Sequence, residues 1–355
     1  MHRESGNDPE RAKDVRVHRG GRVSCYRTYR TLAAAPGQHV RRPAVSHRTQ
    51  AHRPATVCHR ATGTQYRECL AWEEAELISS RQPVPDAVSP DQRRFEAMIV
   101  LVLARALRDF QLDGALLGFQ QAEPAPDGIG LHPHDVMANR VIGELLPRLT
   151  DDGELRGVPG LRARWHHGAI VLYDLTAGAQ VRVIWPRRLP PAAADLESPG
   201  RALWRRDRLD PHEAAGRALW SGEAYSNPRR PAAAEAAARD WLLSRLLRRV
   251  ALVNRGASAH GYANTYSHGD EDLIIESCCG TDPAEIKRLL SQSKMDEPPQ
   301  DPVIQALEAP WQGAGEISLG GHSSVTFRCW RDDKCRPEPG REYAHIDKLR
   351  REWYS

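Results

Sequence analysis

The chain reads as an α+β protein, with antiparallel β-hairpins and a meander packed with amphipathic helices behind a basic, disordered N-terminal arm. Three observations predict this class. Apolar residues recur at helical spacing around 95–110, 137–146 and 231–250, and short β-rich runs gather at 161–185 and 272–278. Helices and strands do not alternate in the βαβ rhythm of a doubly wound sheet. The expected organisation is an arm over residues 1–88, a globular domain over 89–293, and a linker with a loosely ordered tail over 294–355.

The arm is expected from composition. Between Arg11 and Arg67 there are twelve arginines and one lysine, and Asp14 is the sole acid. No helical or strand periodicity is visible, so too little apolar surface is available to offset the entropy of ordering. The hydrophobic fraction of the whole chain, 40%, points the same way, since about 45–50% is usual. Only five of the 50 basic residues are lysine, a bias most simply ascribed to a GC-rich coding sequence. The arm is read either as a nucleic-acid-seeking segment or as an extension without function, and the second reading is favoured.

Order is expected to begin with "SPDQRRFEAMIVLVLARALRDF". Ser89 or Asp91 caps a helix there, and Phe95, Met98, Ile99, Val102, Ala106 and Phe110 share its buried side. The unbroken run Met98–Leu103 predicts burial on more than one side. "QAEPAPDGIG" reads as a loop, and Met137, Val141 and Leu145 mark a second helix that stops before Pro147. After the loop "TDDGELRGVPG", the runs "LRARW", "AIVLYDL" and "AQVRVIW" make the meander.

A short helix is expected over 211–220 and a strong one from about Pro231 to Val250. Arg245, Arg248 and Arg249 fall in the last turns of the strong helix and read as a solvated end that complements its dipole. A strand, a loop and a hairpin turning at His268-Gly269-Asp270 follow. Asp282, Pro283 and Glu285 then open a further helix, with Ile286, Leu289 and Leu290 on its buried side.

Seven cysteines, an odd number without C-x-x-C spacing, indicate reduced thiols and a cytoplasmic setting. The first residues lack a signal-peptide h-region. The longest apolar run falls far short of the ~20 residues a membrane helix needs, so no membrane association is expected.

Candidate chemistry concentrates in "SHGDEDLIIESCCGTDPAE", Ser267 to Glu285. Asp272 and Glu276 lie on one strand face, because like-facing residues recur every second position. With His268 at the turn they could begin an oxygen-rich site for a divalent metal, and His260 is expected on the partner strand toward Glu276. Cys279, just ahead of a helix N-terminus, is a second candidate, with His260 or His268 as its base.

Zinc-type elements at His322, Cys329, Cys335 and His345 do not match standard finger spacing, and "HPHD" at His132–Asp135 fits a helix start equally well. Walker, dinucleotide, zincin and nucleophile-elbow motifs are absent from the sequence. The function expected first is therefore a non-enzymatic interaction or regulatory module whose charged hairpin and arm contact a partner, either protein or nucleic acid. A metal-dependent nuclease or phosphoesterase using the 260–279 hairpin, and nucleic-acid binding by the arm, are the alternatives.

Overall fold

The computed structural model describes residues 53–107, 115–135, 137–166, 168–185, 200–220, 232–256, 264–268, 272–277, 282–297, 316–319 and 323–329. The chain divides into two units, Met1–Ser46 and His47–Ser355. The first unit lies outside the described residues, as does the expected arm up to residue 52.

The architecture is α+β. Helical structure starts well before residue 89, with α1 (Pro54–Thr62) and α2 (Tyr66–Glu74). Pro54 suits a first helical turn, and Gly63 ends α1 at φ +81°, a conformation glycine adopts without strain. The buried residues of α1 are small, namely Ala55, Cys58, Ala61 and Thr62. They recur at helical spacing, a stripe that is missed when only large apolar residues are counted. The expected arm boundary at residue 88 is corrected accordingly.

α3 (Pro90–Ala106) is capped by Ser89, whose hydroxyl accepts from the Asp91 N–H. Phe95 and every residue from Glu96 to Ala104 are buried, as the continuous apolar run predicts. The stretch read as a loop is instead a hairpin of β1 (Phe119–Ala125) and β2 (Gly128–Pro133). Its polar and proline-containing first strand has little intrinsic β preference. Pairing with β2 and tertiary contacts hold it in place. α4 (Ala138–Leu145) follows and stops before Pro147, burying Val141, Ile142 and Leu145.

A short strand, β3 (Arg148–Leu149), precedes the expected loop after α4, and a second, β4 (Leu155–Arg156), lies within it. The meander is present as β5 (Leu161–His166), β6 (Ala169–Asp174) and β7 (Gln180–Ile184). It joins the first hairpin in a mixed sheet ordered β1-β2-β7-β6-β5, in which β2 and β7 run parallel. β8 (Arg201–Ala202) pairs with β3.

Helices α5 (Pro211–Trp220) and α6 (Ala232–Arg248) fall where expected. The segment after α6, read as a strand, is a further helix, α7 (Val250–Gly256). β9 (Asn264–His268) and β10 (Asp272–Ser277) form the expected hairpin, and α8 (Pro283–Gln292) is capped by the Asp282 carboxylate on the Ala284 N–H.

The expected tail boundary is also corrected. β11 (Glu316–Leu319) and β12 (Ser323–Cys329) complete a second sheet, ordered β11-β12-β10-β9, with β10 and β12 parallel. α3 and α6 lie side by side and touch strands of both sheets. One continuous core results, running from Leu131, Leu172 and Val183 of the first sheet through α3 and α6 to Leu273, Ile275, Val325 and Phe327 of the second. Among the described residues no helix is long and apolar enough to cross a membrane.

Candidate functional site

On β10, Leu273 and Ile275 enter the shared core, so Asp272, Ile274 and Glu276 point to the opposite face. Asp272 lies across from His268 and from Ser324 on β12, whose hydroxyl donates to its carboxylate at 2.9 Å. Glu276, buried, accepts from the Tyr266 hydroxyl at 3.2 Å and sits 3.6 Å from the Arg328 guanidinium. The residue opposite Glu276 on β9 is Asn264, where His260 was expected.

Asp272 and Glu276 share a face but stand four residues apart, which at a strand rise of ~3.3 Å separates their backbones by roughly 13 Å. A single ion with bonds of about 2.3–2.6 Å cannot draw both in. No group of three His, Cys, Asp or Glu side chains suited to a metal occurs among the described residues. His260 and Cys279 lie outside the described residues, as do His322, Cys335 and His345 of the zinc-type set.

Of the remaining histidines, His132 belongs to β2 rather than to a helix start. Its Nε2 is 2.8 Å from a Glu123 oxygen, and this hydrogen bond holds the Glu123 carboxyl below its usual range. His166 is exposed at the end of β5.

The largest departure from expectation concerns the arginines of α6. Arg245, Arg248 and Arg249 are buried, with no solvated end among them. Arg248 meets Glu96 of α3 with Nη2 at 2.6 Å and Nε at 2.8 Å, and Glu96 also accepts from Ser244 at 2.7 Å. Asp86 serves both other guanidiniums, at 2.8 Å to Arg245 and 3.5 Å to Arg249. Burial alone would raise the Asp86 pKa, but Arg249 and Arg245 hold it below the usual carboxylate range. Burial pushes Arg249 down to about 10 even with Asp86 beside it, which leaves it charged at neutral pH. No sequence pattern announces these pairs, because the acids lie some 150 residues upstream.

A second buried network closes the opposite end of the first sheet. Arg162 of β5 grips Glu213 of α5 through two bonds, at 2.8 and 3.0 Å, and its remaining donors go to the carbonyls of Leu161, Arg206 and Arg208. Asp174 of β6 receives Arg217 at 2.5 Å.

That network anchors the segment carrying Trp204, and next to it lies the one exposed tryptophan among the described large hydrophobics. Trp165 is 36% exposed. It sits across from Ile170 at the rim of the core face of β5, with its ring centroid 6.1 Å from that of Trp204. The Arg205 guanidinium covers Trp204 at 4.9 Å, and on the other face of β5 Arg164 covers Tyr173 at 5.2 Å. Arg205, Arg206, Asp207 and Arg208 follow Trp204 in the chain and are exposed, and the Arg206 guanidinium pairs with buried Asp210 at 3.0 Å. Among the described residues β5 is the last strand of its sheet.

Comparison of the chain with protein-family models, curated proteins and solved structures found no match.

Proposed function

We propose that the chain is a non-enzymatic interaction module, and that its contact surface is the β5 edge centred on Trp165. The observation that carries this reading is a large aromatic side chain held part-exposed beside a buried tryptophan, which is itself covered by the Arg205 guanidinium. Tryptophan, tyrosine and arginine are the residue types that dominate interface energetics. An edge strand offers a further backbone row to an extended partner.

The chemistry of the patch selects its partner. Single-stranded nucleic acid needs successive free aromatic faces. Here Trp204 is buried, the face of Tyr173 is occupied by Arg164, and Trp165 is only part-exposed. One part-exposed apolar anchor, with Arg205 on the neighbouring tryptophan and Arg164 on the other face of the strand, fits an extended protein segment that alternates acidic and apolar side chains. A metal-dependent site on the β9–β10 hairpin has less support, because Asp272 and Glu276 are spread along their strand and engaged by Ser324, Tyr266 and Arg328.

The test is fluorescence anisotropy with the full chain and three labelled probes: a peptide alternating Glu with Leu or Val, its Lys-for-Glu counterpart, and an oligo(dT) strand. The acidic peptide should bind. Trp165→Ala should weaken that binding about 30-fold, the effect of losing a hot-spot residue worth ~2 kcal/mol. Equal binding by the wild type and the variant, or a preference for oligo(dT), would overturn the proposal.

A further inference from the structure

We propose that Cys58 of α1 and Cys69 of α2 form a dithiol that a hydroperoxide converts into an intrachain disulfide. Both side chains are fully buried, both are free thiols, and both belong to one small cluster with Ala55 and Ile78, flanked by Leu70 and Trp72. The helices that carry them are joined by three residues, Gly63 to Gln65, so the short turn brings one thiol back to the other. The Cys69 thiol also reaches the Thr64 carbonyl of that turn at 3.9 Å.

The two sulfurs are not equivalent. A hydrogen bond from Cys58 lowers the pKa of the Cys69 thiol, and the same bond, together with burial, raises that of Cys58. Cys69 therefore ionises first and is the sulfur a peroxide attacks, since the thiolate is the nucleophile. Its sulfur takes one oxygen as the O–O bond breaks, giving sulfenic acid and, from hydrogen peroxide, one water. The Cys58 sulfur then displaces the sulfenic oxygen, which leaves as a second water, and the S–S bond forms. Two thiols are oxidised by two electrons, and one peroxide is reduced to two waters.

Access comes from the placement of the pair. Among the described residues their cluster is separate from the main core and contains four buried residues. Such a satellite can open locally without global unfolding. Its closure matters to the first sheet, because Thr64, in the α1–α2 turn, donates to the Ala122 carbonyl of β1 at 3.1 Å. A bond between α1 and α2 stiffens the element that buttresses that strand.

The competing explanation is that both cysteines are merely small residues suited to a core. Reduced full-length protein titrated with hydrogen peroxide, alkylated and digested with trypsin without reductant separates the two. Arg60 and Arg67 lie between the cysteines, so the bond appears as two cross-linked peptides that dithiothreitol releases. That product should accumulate at the lowest peroxide doses, with Cys58→Ser trapped at Cys69 as a dimedone adduct and Cys69→Ser unreactive at residue 58. Full alkylation of both thiols at doses that modify other cysteines would overturn the proposal. So would bonds from either thiol to a different cysteine, or direct passage of Cys69 to sulfonic acid in the wild type.

Discussion

Glu96 and Arg248 face one another between α3 and α6 with neither side chain exposed, 152 residues apart in the chain. The remaining donors of Arg248 go to the carbonyls of Pro85, Ala125 and Gly128. The guanidinium thus ties the segment before α3, the turn of the first hairpin and α3 itself to α6. All five of its N–H groups are engaged, so it has nothing left for a ligand. Its role is architectural, and that is why the functional proposals rest on other parts of the molecule.

Breaking that pair should be costly. Glu96→Ala leaves a buried guanidinium without counter-charge, and a loss of about 3–5 kcal/mol is expected. Replacing both partners with apolar residues, as in Glu96→Leu with Arg248→Met, should recover much of the loss, since no buried charge is then stranded. Guanidinium-chloride midpoints followed by tryptophan fluorescence compare the two. A double variant no more stable than Glu96→Ala would show that the hydrogen bonds of Arg248 to carbonyls, rather than charge pairing, dominate.

The acids of the two networks set a pH dependence of definite sign. In Asp86, Asp174 and Glu213 burial opposes ionisation, yet their arginine partners hold the folded pKa below the ordinary value. Their contribution is therefore present above the unfolded pKa of about 4 and is lost as pH falls through the folded values. Asp240 behaves oppositely: burial raises its pKa in spite of Arg239. Proton uptake by native Asp240 then favours folding as pH falls through its raised value. Asp86→Asn should flatten the acid limb of a stability–pH curve and strongly destabilise at neutral pH, whereas Asp240→Asn should cost little or stabilise there. Equal losses for the two at pH 7 would contradict this assignment.

The elements that were legible in the sequence are those whose signal is local. Ser89 and Asp282 cap helices because a side-chain oxygen needs to reach only two residues ahead. The meander announced itself by alternation, with Val181 and Val183 buried and Arg182 exposed. Strand β1 was not legible, since Gln120, Gln121 and Pro124 owe their extended state to pairing with β2 and to Asn254 and Thr64. The same limit applied to Arg245, Arg248 and Arg249. Their spacing fits a solvated helix end and a buried face equally, and the difference is made by Asp86 and Glu96. In the candidate hairpin the shared face of Asp272 and Glu276 was read correctly from period two. The partners that engage them, Ser324 and Arg328, come from a strand roughly 50 residues downstream.

Arg162 should tolerate no conservative replacement. Lysine keeps the charge but has three donors on one nitrogen, against the planar fork that serves Glu213 and three carbonyls. At least two buried acceptors would be stranded, so Arg162→Lys is expected to lose about 3 kcal/mol. The loss should be accompanied by loosening of the 203–208 segment, visible as faster amide exchange at Arg206 and Arg208. Unchanged exchange there would mean that the segment is held by Trp204 packing instead.

Two glycines with nearly the same backbone separate conformational strain from steric exclusion. Gly153 and Gly157 have φ of +83° and +85°, but a Cβ at Gly153 would meet open space, whereas one at Gly157 would lie 2.5 Å from the Leu146 carbonyl oxygen and 2.9 Å from the Pro147 Cα. Alanine at Gly153 should therefore cost only the left-handed penalty of roughly 1 kcal/mol. Alanine at Gly157 adds an overlap with backbone that cannot move without displacing the Leu203 and Trp204 N–H bonds to the Pro147 carbonyl. A loss of about 3 kcal/mol is expected there. Because Trp204 supports Trp165, Gly157→Ala should also shift the exposed tryptophan's fluorescence, while Gly153→Ala should leave it unchanged. Equal destabilisation by the two substitutions would show that the 146–147 backbone yields, and that Trp204 is held in place without it.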